Sequence, residues 1–209
     1  MSAADQDRAP SDAGTLGAPA FGARRLLLVG SGALGVASLP FWINWLRLSY
    51  PELELRVVLT RAAERFVTRH ALTPILGHEV LRDVWSEEPE ASPVHVDLAQ
   101  WPDAIAVYPA SLHYTARLAI GLPDTPSQMA LQTTRAPLVI APALPPGAVT
   151  SPVYLQHLAA LRSRANVVVV PPHKGLSVSS RQADGSPAAP LAEAIEALER
   201  LRTSGRTQG

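Results

Sequence analysis

The sequence predicts an α/β fold in a single domain: a doubly wound parallel sheet with helices on both faces. Three observations carry this. Short, near-continuous runs of Val, Ile and Leu recur along the chain, longer segments with helical spacing separate them, and 209 residues suffice for one substantial core. A strand covered on both faces needs apolar residues at every position, because both of its side-chain rows are buried. Alternation of such strands with helices implies right-handed crossovers and a parallel order.

Taken in order, "RLLLVGS" (25–31) reads as the first strand and "ALGVASLPFWINWLRLS" (33–49) as its helix. "LRVVLT" (55–60) and "AAERFVTRH" (62–70) form the next pair. Residues 71–94 are polar and irregular, an excursion on one edge of the sheet. "AIAVYPA" (104–110) precedes "SLHYTARLAIG" (111–121), and Gln132-Thr133-Thr134 with Arg135 reads as a polar helix end. "PLVIAPA" (137–143) precedes "PVYLQHLAALRSR" (152–164), and "NVVVVPP" (166–172) comes before a last helix, "PLAEAIEALERLRTS" (190–204). Between these two lies "HKGLSVSSRQADGSPAA" (173–189), too long for a plain connection: a mobile functional loop or a disordered one. Residues 1–23 are Ala/Gly/Asp-rich without a basic-then-apolar signal pattern and are expected to form a disordered leader. The domain then spans 24–204, with 205–209 a disordered tail.

Composition narrows the function classes. Hydrophobic residues make up 47% and charged residues 17%, with formal net charge zero. A neutral chain lacks the attraction to phosphate backbones that nucleic-acid binders use, and nothing in its charge opposes self-association, so a homo-oligomer is expected. There is no cysteine, which excludes disulfides, thiolate metal sites and a catalytic thiol, and favours a cytoplasmic location. The most apolar stretch, 26–48, is interrupted by glycines, Pro40, Asn44 and Arg47, so no membrane span is expected.

In a doubly wound sheet, ligands bind beyond the carboxyl ends of the strands. Those ends read Gly30-Ser31-Gly32, Thr60, Pro109-Ala110-Ser111, Ala141-Pro142-Ala143 and Pro171-Pro172. Gly30-Ser31-Gly32-Ala33-Leu34-Gly35 fits G-x-G-x-x-G between a strand and a helix, where glycines allow a tight turn and helix amides meet an anion. No acidic residue follows the second strand to hold a ribose diol; Thr60-Arg61 stands there. Arg61 suits a 2′-phosphate, Thr60 equally a mononucleotide phosphate or ribityl group, so the turn points to a phosphate without choosing the cofactor. His95 lies just upstream of the strand ending in Pro-Ala-Ser, which makes it a functional candidate against a merely structural role. The six histidines show no H-x₃-H or H-E-x-x-H spacing, so no metal site is expected. Asp103 reads as a cap at the strand entrance and Trp101 as packing. Neither a G-x-S-x-G elbow nor a P-loop lysine is present.

The segment "HVDLAQWPDAIAVYPASLHYTARLAIGLPD" resembles the homo-oligomeric flavin-containing cysteine decarboxylases, the family of phosphopantothenoylcysteine decarboxylases and of the epidermin- and mersacidin-type lantibiotic decarboxylases. Its hallmarks are a histidine before "-LA-WAD", then Pro-Ala-Ser-Ala-Asn-Thr, then "K-A-G-AD" and Pro-x-Met-Asn. The counterparts are His95 with Leu98–Asp103, Pro109-Ala110-Ser111, Arg117–Gly121 with Asp124, and Pro142–Pro145; "VVLTRAAERFV" (57–67) fits the second strand and helix. The likeness runs from about residue 24 to 204.

The resemblance implies a Rossmann-like, flavodoxin-like sheet with FAD or FMN at the strand ends, held by Gly32, Ala33, Thr60, Ser111, His113, Tyr114 and Ala143. It gives His95 the position of the catalytic base and implies trimeric or dodecameric assembly with flavin at subunit interfaces. Two departures stand out. The Asn-Thr of the flavin motif is His113-Tyr114, and the asparagine that meets the substrate carboxylate is Pro145, which has neither a side-chain donor nor an N–H. Arg181, in the 173–189 segment that matches the substrate clamp, is the candidate replacement. Without cysteine the reductive step of the pantothenate branch has no agent. The implied reaction is therefore oxidative: the C-terminal cysteine of a ribosomally made, lanthipeptide-type precursor is converted to an aminoenethiol. The alternatives are a non-catalytic flavoprotein subunit of the same fold, an NADP-dependent reductase, or a flavin prenyltransferase-like enzyme, for which no lysine or glutamate constellation is seen.

Overall fold

The computed structural model describes residues 17–89, 92–178 and 180–204. Six parallel strands, β1 (Arg25–Gly30), β2 (Glu54–Leu59), β3 (Leu81–Arg82), β4 (Ala104–Ser111), β5 (Leu138–Ala143) and β6 (Val167–Val169), lie in the order β3-β2-β1-β4-β5-β6. This is the dinucleotide-fold order; without the two-residue edge strand β3, the remaining five strands follow the flavodoxin order. The expected α/β doubly wound sheet is the observed one.

Alternation along β1 distributes the core. Leu26 and Leu28 point to one face, where they pack with Leu39, Ile43 and Leu46 of α1 (Leu39–Ser49), Leu72 and Leu76 of α2 (Arg69–Leu76), and Leu191, Ile195 and Leu198 of α7 (Leu191–Ser204). Leu27 and Val29 point to the other. There they meet Leu98 of α3 (Val94–Gln100), Leu118 of α4 (Leu112–Ala119), Leu131 of α5 (Pro126–Thr133) and Leu161 of α6 (Pro152–Arg162). Leu26, Leu27, Leu28 and Val29 have no exposed surface, which is why the run reads as continuously apolar. Asp103 accepts from the backbone N–H groups of Arg24 and Arg25, both at 3.0 Å, and so fixes the entrance of β1.

Three segments differ from the expectation. The 33–49 helix is divided: a 3-10 turn, Leu34–Ser38, leads into α1, whose early Pro40 suits a helix start. Residues 62–68 hold only a 3-10 turn, at Ala63–Arg65. Thr68 is extended and its hydroxyl oxygen accepts from the Ala71 N–H at 3.2 Å, so the capping threonine delays helix α2 to Arg69. The 71–94 excursion thus holds most of α2 as well as β3, which pairs with Val58 and Leu59 at the sheet edge.

Of the expected leader, residues 1–16 lie outside the described residues, as does the expected tail 205–209. Residues 17–23 pack on the fold: the Tyr50 hydroxyl donates to the Pro19 carbonyl at 2.7 Å, Phe21 meets Tyr50 edge-on, and Gly22 N–H donates to Glu199. Within 173–189, the described residues pair back on one another as an antiparallel hairpin. Gly175 and Gly185 exchange backbone bonds of 3.0 and 2.9 Å, Ser177 N–H donates to the Gln182 carbonyl, and Leu144 N–H joins the hairpin to the end of β5 through Ser186 O at 2.8 Å.

Candidate active site

The carboxyl ends of β1 and β4 are fastened together by one side chain. Ser31 Oγ donates to the Pro109 carbonyl at 2.8 Å and accepts from the Ser111 N–H at 2.7 Å, while buried at 1% exposure. Ser111 in turn caps α4, its Oγ accepting from the Tyr114 N–H at 3.2 Å. At the end of β2, Thr60 Oγ1 accepts from the Ala63 N–H at 3.2 Å and begins the following 3-10 turn. Gly32 lies against this turn so closely that a Cβ at that position would sit 2.4 Å from the Ala62 Cβ. Glycine is demanded there by contact between two loops.

These turns enclose a cavity of about 530 Å³. Gly32, Thr60, Ser111 and His113, all expected cofactor ligands, line it together with Arg61, Arg65, Asp83, Trp85 and Gln128. Ala33 adjoins Gly32 in the turn, and Ala143 pairs in register with Ser111 at the end of β5. Tyr114 departs from the expectation. Its ring is buried and its hydroxyl meets Ser127 Oγ at 2.7 Å, so the side chain faces α5 and not the cavity, and burial raises its pKa well above the ordinary phenol range. Pro145 lies exposed just past β5, and Arg181 is exposed on the hairpin at φ 56° without lining the cavity.

His95 stands in the first turn of α3. That helix runs antiparallel to the strands, which brings its N-terminus to the carboxyl-end side. The imidazole lines a neighbouring cavity of about 650 Å³ with Met129, Thr133 and Thr134. His95 does not line the strand-end cavity itself; Trp85 does, and its ring lies 5.5 Å from that of His95. A groove of about 870 Å³ at the β2–β3 edge is larger; within it Arg56 covers the Trp101 ring and His78 Nε2 bonds the Leu55 carbonyl. It lies away from the strand ends.

Asp83, Trp85 and Gln128 escaped the sequence reading. Asp83, 2% exposed, accepts from Thr125 Oγ1, Ser127 N–H and Ser127 Oγ, each at 2.8 Å, and so fastens the start of α5 to the sheet edge. Desolvation raises its pKa above the ordinary carboxylate value, although the three donors oppose the shift. Gln128, 1% exposed, donates from Nε2 to the Tyr114 carbonyl at 3.1 Å, and its Oε1 has no partner among the described residues. One local signal was available: Thr125-Pro126-Ser127-Gln128 has the spacing of a helix-capping box. Arg117 pairs with Asp124.

The residues fit a flavin nucleotide. Small side chains give backbone access, the start of α4 and the guanidiniums of Arg61 and Arg65 favour a phosphate, and the unpartnered Gln128 oxygen is an acceptor awaiting a donor. The flavoprotein family model matches residues 20–198, and the chain belongs to that family, whose cofactor is flavin. It is similar to the cypemycin cysteine dehydrogenase (decarboxylating) of a Streptomyces species, 35% identical over 178 residues, 85% of this chain and 91% of the relative. The crystal structure of the cypemycin decarboxylase CypD superposes with a TM-score of 0.75 at 31% identity, over 91% of this chain and 99% of that one. The FMN-dependent cysteine decarboxylase TvaF of thioviridamide biosynthesis gives 0.68 at 26% identity, over 86% and 98%. No groups of histidine and carboxylate suited to a metal ion occur among the described residues.

Proposed function

We propose that this protein is an FMN-dependent peptidyl-cysteine decarboxylase acting on the C-terminal cysteine of a ribosomally made antibiotic-type precursor, of lanthipeptide or related kind. The observation that carries the reading is the 35% identity to a decarboxylating cysteine dehydrogenase across 178 residues, which include every strand end lining the cavity. FMN is preferred over FAD because TvaF, alike in fold and sequence, is FMN-dependent.

Gly32, Thr60, Ser111 and His113 would hold the flavin, and Arg61 and Arg65 would favour its negative charge. The bound flavin would supply the two-electron oxidation of the cysteine side chain. His95 takes the proton released when the thiol-bearing carbon is oxidised, a task suited to an imidazole near neutral pH. Oxidation places a thiocarbonyl β to the carboxylate, so CO₂ can leave as the electron pair moves into the new carbon–carbon double bond. The hairpin 173–189 closes over the peptide end, and Arg181 holds the carboxylate in place of the asparagine lost at Pro145. Exposed Phe41 and Leu48 on α1 and Val153 and Leu155 on α6 supply apolar surface for assembly into trimers or dodecamers.

The test is mass spectrometry of a synthetic peptide ending in cysteine, incubated with the protein in air. The expected product is lighter by one CO₂ and two hydrogen atoms. A panel of cysteine-terminated peptides returned unchanged by a fully flavin-loaded preparation overturns the reading in favour of a non-catalytic flavoprotein.

A further inference from the structure

Trp85 belongs to no motif of the sequence, yet it both lines the strand-end cavity and meets the ring of His95. It follows the two-residue edge strand β3 and lines the cavity shared by Gly32, Thr60, Ser111 and His113. Its ring meets that of His95 edge to face, with centroids 5.5 Å apart and planes at 69°. The indole is 44% exposed, and its Nε1–H donates to the Asp124 carbonyl at 2.8 Å. Asp124 is held by its ion pair with Arg117 of α4, so the anchor reaches back to the helix that starts at the cavity. His95 Nδ1 is buried and has no hydrogen-bond partner among the described residues.

A ligating or catalytic histidine is usually oriented by a hydrogen bond to its second ring nitrogen. His95 has none at Nδ1, so the ring's orientation must come from packing. Trp85 is the aromatic group in contact with it, and the indole is itself fixed at the opposite edge. We propose that Trp85 is the positioning residue for His95: the indole, pinned by Asp124, substitutes for the absent carboxylate or carbonyl and fixes the imidazole plane. This rests on the decarboxylase reading for its kinetic consequence, but the ring contact can be tested without it. Edge-to-face pairs are directional, which suits them to fixing a plane.

The experiment has an optical arm and a kinetic arm, both on the flavin-loaded protein. An indole held in fixed contact with a second ring carries near-ultraviolet circular dichroism, so the parent should show an indole band from Trp85. Trp85→Phe should remove that band and His95→Asn should collapse it, leaving the contribution of the other three tryptophans. Persistence of the full parental band in either variant overturns the proposal, because the rings are then not in fixed contact. In the kinetic arm, with variants compared at equal flavin content, Trp85→Ala should lower kcat by about 10–100-fold and change KM far less, since a displaced base costs rate more than binding. Trp85→Phe, which keeps an aromatic ring, should recover most of the loss. Parental kcat in Trp85→Ala, or a rise confined to KM, overturns the assignment. A parent that turns over no peptide while the optical arm succeeds shows that the function reading has failed, and Trp85 is then a packing residue only.

Discussion

The strand-end cradle and the hairpin 173–189 face the same side of the sheet but are fastened in opposite ways. In the cradle, a buried serine side chain bonds across two strands and joins Pro109 to Ser111, and Thr60 fixes the neighbouring turn. The hairpin is closed by its own backbone, joined to β5 through Leu144 and Ser186, and carries Leu176 and Val178 at 70% and 73% exposure. Segments with few buried contacts are those that open most readily. On the proposed function the contrast separates two tasks: a cofactor of fixed shape needs a prearranged wall, and a peptide of variable sequence needs a surface that can yield.

The largest effect expected from breaking this contrast lies between the two regions. His95→Asn should lower turnover by about 10²–10⁴-fold while flavin content and melting temperature stay parental. Peptide decarboxylation monitored by mass spectrometry, beside the flavin spectrum, checks this; equal rates would return His95 to a structural role. On the hairpin, Arg181→Ala should raise KM or lower turnover by about 10–150-fold, as loss of a charge-assisted grip on a carboxylate does, without touching the flavin spectrum. Steady-state kinetics with one peptide decides it, and a flavin-content change there would erase the division of tasks.

Smaller effects fall on stability within the cradle. Asp83→Ala leaves three donors at the start of α5 without their acceptor and should cost about 2–4 kcal/mol in denaturant unfolding. Its pH dependence has a definite sign. Desolvation raises the folded-state pKa of Asp83, so the folded state binds the proton more tightly than the unfolded chain. Stability of the parent relative to Asp83→Asn should therefore rise as pH falls through the raised pKa towards the ordinary carboxylate value, and unfolding at a series of pH values measures the difference. The opposite slope would mean that the three donors outweigh burial. Ser31→Ala should cost the least, about 1–3 kcal/mol, and show as a lower melting temperature with weaker flavin retention; an unchanged melt would mean that the β1–β4 fastening is redundant.

How much of this was legible in the sequence depended on the range of each contact. The strands β1, β2, β4 and β5 were legible because burial on both faces is written into every position of the run. So were the turns at Gly32, Thr60 and Ser111, because strand ends in this topology share one side. The 62–70 segment was misread as a helix because Thr68 acts through a local cap that competes with apolar spacing. Trp85 and Asp83 were not legible, since their partners lie elsewhere in the chain: Asp124 is 39 residues from Trp85, and Ser127 is 44 from Asp83. No periodicity encodes such pairs. The motif points Tyr114 at the cofactor, but its position on α4 turns the ring towards Ser127.

The central claim is that the strand-end cavity holds the flavin, and Gly32 is where it is most exposed to test. A side chain there meets Ala62 and must displace the Thr60–Ala62 turn from the cavity wall. The measurement is the visible absorption spectrum of purified parent and Gly32→Val, normalised to protein, with thermal melts to confirm that both are folded. The parent should be yellow and release an oxidised flavin on denaturation, and folded Gly32→Val should be nearly colourless and fail to take up added FMN. A colourless parent that takes up neither FMN nor FAD, or a variant retaining the parental flavin content, would contradict it.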